Sequence, residues 1–328
     1  MIQQNLTIEE RRKASLYGGA IGDALGYEIE FSSLDTIQRK YGQNGLLEPV
    51  FHQGKLIVSD DTQMTLFTLE AIKDCDALTA TADVVERIRL AYLDWYNTQR
   101  EHPSEEYATG AIWQLPQLQH MRAPGNCCMT SLGMGGPGSP EAPINDNKGC
   151  GGVMRVAPVG LFPQKWNAAE VFEVAMRAAA ITHTHPTGYL SAGMLAAIIY
   201  YLVEGKDLLD AIDLADGLLG SYRDHQETHE KVFNAISLAE QDLEIIKAIE
   251  ILGQGWIAEE ALSIGLYAVL KGTDFREVIQ IAANHSGDSD STASIAGQVF
   301  GAWHGLSDIP GDWIKTLDVY EILQGLLK

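Results

Sequence analysis

Helical periodicity is the feature that most limits what this chain can fold into. Between Asp83 and Tyr96 the apolar side chains Val84, Ile88, Ala91, Tyr92 and Trp95 recur at the spacing that lines one face of an α-helix. Val171, Val174, Ala175, Ala178 and Ile181 repeat the pattern. The same reading predicts helices over 189–203, 207–219, 227–251, 257–270, 274–284, 290–305 and 312–327. Few segments alternate with the two-residue period of a half-buried strand, so an all-α protein with many packed helices is expected. The length suits one large domain or two. No internal repeat or linker divides the chain, so residues 1–328 are taken as one domain. Gly18, Gly19, Gly22 and Gly26 on one segment, and Ala293, Ala296, Gly297, Gly301 and Gly305 on another, would let helix backbones approach closely.

One stretch breaks the pattern. Residues 122–152, RAPGNCCMTSLGMGGPGSPEAPINDNKGCGG, carry Gly and Pro throughout, and no regular helix is expected to persist there. Long irregular segments inside compact domains are usually functional or disordered. This one ends in Gly149-Cys150-Gly151-Gly152-Val153-Met154-Arg155, which suggests an ordered loop whose backbone amides face a ligand.

The formal net charge of −21 argues against a general nucleic-acid binder, which needs clustered Lys and Arg. An anionic substrate would then require local positive potential from bound cations or aimed amides. Cys75, Cys127, Cys128 and Cys150 form no Cys-x-x-Cys pair and read as reduced cytosolic thiols. The segment MIQQNLTIEERRK lacks the apolar core of a signal peptide. The most apolar run, Tyr189 to Val203, is shorter than the roughly 20 residues that span a bilayer and reads as a core helix. A cytoplasmic protein without membrane or nucleic-acid partners is expected.

The chemistry-bearing residues fall in two carboxylate clusters. Asp60 and Asp61 are flanked by Ser59 and Thr62; Asp288 and Asp290 are followed by Ser291 and Thr292. Either cluster alone is as readily a helix cap, because Asp and Ser oxygens satisfy orphan amides. Together they make an all-oxygen donor set, suited to Mg²⁺ or Mn²⁺ rather than zinc. Several carboxylates also balance the charge of two divalent ions. Glu30 reads as a general acid or base or as a solvated side chain. His183 and His185, two apart, would not share a helix face and read as caps or hydrogen-bonding residues. The chain has neither a phosphate-loop signature nor a Rossmann fingerprint.

Five motifs in order, GGAIGDALGYEIEF, SDDTQM, KGCGGVMRVAPVGL, THTHPTGYLSAG and HSGDSDSTASIAG, resemble those of the ADP-ribosylglycohydrolase family from Gly18 to about Gly305. That family includes dinitrogenase-reductase-activating glycohydrolases and ADP-ribosylarginine hydrolases. The resemblance implies a compact orthogonal multi-helix fold with a dinuclear Mg²⁺ or Mn²⁺ cleft. It implies that Ser59, Asp60, Asp61, Asp288, Asp290 and Ser291 bind metal, and that Glu30, Asp61 or Asp290 manages protons. It further implies that Gly149, Cys150, Gly151 and Gly152 cradle the ADP-ribose phosphates, with His183 nearby and Arg155 a weaker candidate. Ser59 and Ser291 stand where relatives often carry Thr, which keeps the hydroxyl; Ser286 stands where Gly is usual. The implied substrate is an ADP-ribosylated protein, with ADP-ribosylarginine favoured over ADP-ribosylserine or a small metabolite. Rival readings are an immunity protein that neutralises a cognate ADP-ribosylating toxin by binding it, by reversing its modification or by both, an inactive structural relative, and a two-metal phosphohydrolase releasing AMP.

Overall fold

The computed structural model describes residues 6–103 and 108–328. Sixteen α-helices run through them in chain order. The first half holds α1 (Ile8–Tyr27), α2 (Leu34–Tyr41), α3 (Asp60–Lys73), α4 (Thr81–Thr98), α5 (Asn126–Gly133), α6 (Ala157–Gly160), α7 (Ala168–Ala180) and α8 (Pro186–Val203). The second half holds α9 (Leu208–Leu219), α10 (Gln226–Ala239), α11 (Ile245–Leu252), α12 (Ala258–Lys271), α13 (Phe275–Ala283), α14 (Ser289–His304), α15 (Gly311–Thr316) and α16 (Tyr320–Leu326). Among the described residues β-structure is limited to isolated bridges. The all-α expectation therefore holds.

The centre of the molecule is the antiparallel pair α1 and α14. A capping box starts α1: the Thr7 hydroxyl accepts from Glu10 N–H while the Glu10 carboxylate accepts from Thr7 N–H. Along the pair, every fourth residue of α1 meets every fourth residue of α14. A Cβ on Gly18 would come within 2.4 Å of the Gly297 oxygen, one on Gly22 within 2.0 Å of the Ala293 oxygen, and one on Gly26 within 2.2 Å of the Ser289 oxygen. Only side chains no larger than hydrogen fit such backbone contact. The consequence for function is positional, because α14 begins at the second carboxylate cluster and α1 ends just before Glu30.

Around this pair α8 is a long and largely enclosed helix. It is long and apolar enough to cross a membrane by length and composition, yet 83% of that stretch is buried inside the protein. It packs on α7, with Gly193 seated against the Phe172 ring.

Three expectations need correction. The helix expected over 227–251 is two, α10 and α11. The Lys271 ammonium donates to the carbonyls of Ala239 (3.3 Å) and Gln241 (3.1 Å), satisfying orphan acceptors where α10 stops. The helix expected over 312–327 is also two. Leu56 interrupts it by donating to the Thr316 carbonyl (2.9 Å) and accepting from Asp318 N–H (3.0 Å). Finally, the segment 122–152 does contain a helix, α5, because Asn126–Leu132 is free of the Gly and Pro that punctuate its flanks.

Candidate functional site

The start of α3 is built by a carboxylate from another helix. Ser59 caps α3, its hydroxyl accepting from Asp61 N–H at 3.2 Å. Asp23, fully buried on α1, accepts from Ser59 N–H (2.9 Å), from Thr62 N–H (3.0 Å) and from the Thr62 hydroxyl. These are the amide donors that a helix start leaves unsatisfied, and an anion there also meets the favourable end of the helix dipole. Asp60 N–H donates to the Arg122 carbonyl at 3.0 Å, and Gly125 N–H reaches the Asp60 carboxylate at 3.3 Å. Backbone on three sides thus aims Asp60 and Asp61 inward.

The start of α14 supplies the opposing wall. Asp288 caps the helix, accepting from Ser291 N–H at 3.4 Å, and its own N–H donates to the Gln254 carbonyl at 2.8 Å. The Cys150 thiol lies 2.7 Å from an Asp288 carboxylate oxygen. Glu30 completes the cluster: one carboxylate oxygen from each of Glu30, Asp288 and Asp290 lies within 4.8 Å of the others. Thr292 turns away and donates to the Ala282 and Asp288 carbonyls, both at 2.7 Å.

The electrostatics are those of crowded, buried acids. Burial, then the charges of Asp290, Asp288 and Asp60, pushes the Glu30 carboxyl up to about 10. Burial and then Asp290 raise Asp23 to about 7 and lift Asp60, Asp61 and Asp288 well above the usual carboxylate range. Burial raises Asp290 as well, opposed by the Asp288 and Ser59 side chains. Oxygens of Glu30, Asp61 and Asp290 are buried without any hydrogen-bond partner. Unpaired buried anions are costly, and a hard divalent cation with oxygen ligands is the natural counter-charge. The donor set fits such an ion, and this acidic cluster could bind one.

A cavity of about 320 Å³ opens onto this centre, lined by Glu30, Asp60, Asp61, Asp288, Asp290 and Ser291 along one stretch. Gly149, Cys150, Gly151 and His183 line another. A Cβ on Gly151 would lie 2.9 Å from the Cys128 sulfur and 3.0 Å from the His183 ring, so the glycine loop is pressed against the histidine. Burial, then Arg155, lowers His183 to about 3, so its imidazole is neutral. Its Nδ1 is 2.8 Å from the Thr182 hydroxyl. His185 takes a different task as the N-cap of α8.

Three residues expected at the site do not line the cavity. Ser59 and Gly152 lie just behind it. Arg155 is fully enclosed, its guanidinium over the Tyr92 ring at 4.1 Å and donating to the Thr182 hydroxyl (2.8 Å) and the Ala178 carbonyl (3.2 Å). That places Arg155 as a strut beneath the His183 turn rather than as a group facing a ligand. Conversely, Asp23, Gly125, Asn126, Asn147 and Trp256 belong to the site or its frame without a spacing that marks them in sequence.

These features belong to a recognised protein class. The chain is a member of the ADP-ribosylglycohydrolase family, whose pattern matches residues 4–328. It is 25% identical over 321 residues to the ADP-ribosyl-[dinitrogen reductase] glycohydrolase of Rhodospirillum rubrum, covering 95% of this chain and 92% of that one. It is 24% identical over 323 residues to ADP-ribosylarginine hydrolase Tri1 of Pseudomonas putida (strain GB-1), covering 97% and 76%. A solved structure described as an ADP-ribosylglycohydrolase-related protein complex superposes with a TM-score of 0.66 at 25% identity, covering 98% of this chain and 96% of that one. Family and relatives together support ADP-ribosyl hydrolase activity on modified proteins.

Proposed function

We propose that this protein is a divalent-cation-dependent hydrolase that removes ADP-ribose from arginine side chains of modified proteins. The observation that carries the metal dependence is the set of unpartnered, buried carboxylate oxygens of Glu30, Asp61 and Asp290 facing one cavity. Ser59, Asp60, Asp61, Asp288, Asp290 and Ser291 would hold two ions, Mg²⁺ or Mn²⁺. When bound, those ions supply positive charge for the substrate's ribose hydroxyls and lower the pKa of a water. The Gly149–Gly151 backbone lies along the same cavity, where it can receive the pyrophosphate. Neutral His183 offers one ring nitrogen to a ligand because the other faces Thr182. Glu30 stands beside Asp288 and Asp290 with one carboxylate oxygen unpartnered, placed to give the departing nitrogen its proton. Nearby carboxylates stabilise the oxocarbenium character that develops as the glycosidic bond breaks.

Arginine is favoured by two considerations. A relative over 97% of the chain carries the name ADP-ribosylarginine hydrolase, and a guanidinium suits an acidic cleft. The test is incubation with ADP-ribosylated arginine and serine peptides, with Mg²⁺ or with a chelator. Release from arginine that needs the cation supports the proposal; release undiminished by chelation, or from serine alone, overturns it.

A further inference from the structure

Two aromatic rings stand at the mouth of the cavity, and the chemistry described so far leaves them without a role. Phe31 is 75% exposed and Trp256 39% exposed, unusual for side chains of their size. Their rings lie nearly parallel, with centroids 6.1 Å apart and planes inclined by 19°. Both line the cavity.

Each ring is tied to the reactive centre. Phe31 follows Glu30 directly in the chain. Trp256 sits on the loop between α11 and α12, which is stitched to the site on both sides. Its carbonyl accepts from Cys150 N–H at 3.1 Å, and the neighbouring Gln254 carbonyl accepts from Asp288 N–H at 2.8 Å. Gly255 makes that approach possible: its φ is +83°, and a Cβ there would come within 2.7 Å of Thr292. The rim is therefore fixed in place, Phe31 next to Glu30 in the chain and the Trp256 loop tied both to Cys150 of the glycine loop and, through Gln254, to Asp288.

Ring faces beside carboxylates make an environment selective for a planar cation. A guanidinium stacks on aromatic faces and is drawn to their negative quadrupole. A neutral purine would gain the stacking but nothing from the acids. We infer that Phe31 and Trp256 form the acceptor subsite, whose exposed ring faces stack on the arginine guanidinium of the substrate. This rests on the proposed arginine activity, and it assigns arginine selectivity to residues outside the metal centre.

The experiment compares wild type with Phe31→Ala, Trp256→Ala and Trp256→Phe. Each is assayed for kcat/KM on ADP-ribosylated arginine and serine peptides, and for binding of free ADP-ribose by calorimetry with Mg²⁺ present. Each alanine variant is expected to lose about threefold to thirtyfold in kcat/KM on the arginine peptide, the range of a cation–π contact. Affinity for ADP-ribose, which lacks the acceptor, should stay within about twofold, and Trp256→Phe should retain most of the wild-type rate. An equal loss in ADP-ribose binding would show that the rings grip the adenosine end and overturn the inference. Arginine turnover unchanged in both alanine variants would overturn it as well while leaving the proposed function standing. Wild type that acts on serine but not on arginine would overturn both.

Discussion

Gly26→Ala tests whether the α1–α14 contact builds the carboxylate centre or merely stabilises the fold. The added Cβ would lie 2.2 Å from the Ser289 oxygen, 2.4 Å from its carbonyl carbon and 2.5 Å from the Asp290 Cα. Ordinary contact begins near 3.4 Å, so the helices must part by about 1 Å or the first turn of α14 must deform. Overpacking costs roughly 1–3 kcal/mol, and a clash with backbone belongs at the upper end. With about 2.1 cal/mol/K of unfolding entropy per residue, 3 kcal/mol over a chain of this length lowers Tm by about 4 °C. The displaced turn carries Asp290 and Ser291, and metal ligands tolerate errors of only about 0.2 Å. Mn²⁺ affinity measured by calorimetry is therefore expected to fall at least about tenfold. Gly301→Ala is the control. Its Cβ would lie 2.1 Å from the Ala14 oxygen, an equal clash roughly 16 Å further along α14. It should cost similar stability and leave Mn²⁺ affinity unchanged. Wild-type Mn²⁺ binding by Gly26→Ala, or equal losses in both variants, would refute the coupling of helix contact to metal site.

Asp23→Asn keeps the shape but turns one acceptor oxygen into an NH₂ that faces the Ser59 and Thr62 donors; a loss of about 1–3 kcal/mol in stability, read by urea unfolding, should accompany weaker Mn²⁺ binding. Arg155→Met removes the strut beneath the His183 turn, and it should lower Tm while a folded fraction still binds ADP-ribose; normal stability with lost binding would return Arg155 to the ligand side. The pH dependence without metal has a defined sign. Glu30 and Asp23 have folded values raised from 4.5 to about 10 and from 3.8 to about 7, so their stabilisation is present at low pH and is lost as pH rises through those values. Cation-free Tm should accordingly fall between pH 6 and pH 8, and added Mg²⁺ should restore more at pH 8. His285 acts oppositely: lowered from 6.5 to about 4 by burial, it withdraws stability as pH falls from 6.5 towards 4, visible as acid destabilisation that His285→Gln reduces.

How much of this was legible in sequence depends on the range of the interaction. The helices were readable where one apolar face persists, as in α4 and α7, because periodicity is local. Breaks made by distant partners were not: Leu56 splits the C-terminal helix by pairing across the fold, and Lys271 closes α10 from another helix. The carboxylate clusters were visible as residue types, and their meeting is produced by the α1–α14 contact, whose small residues were legible only as close packing. Asp23 looked like part of a weak Gly-Asp pair because its three donors lie almost forty residues on. Arg155 looked ligand-facing because it follows the glycine loop, yet the turn after that loop points it into the core. The Phe31–Trp256 rim had no signal, since its two halves are far apart in the sequence and meet only in the fold.

The most direct test of the central claim is the identity of the product released from an ADP-ribosylated arginine peptide, measured by mass spectrometry with Mg²⁺ and with chelator. Intact ADP-ribose and an unmodified arginine are expected with Mg²⁺, and neither with chelator or after Asp60→Ala with Asp61→Ala. AMP with a ribose-phosphate scar on the peptide, or equal release by the doubly substituted protein, would contradict it.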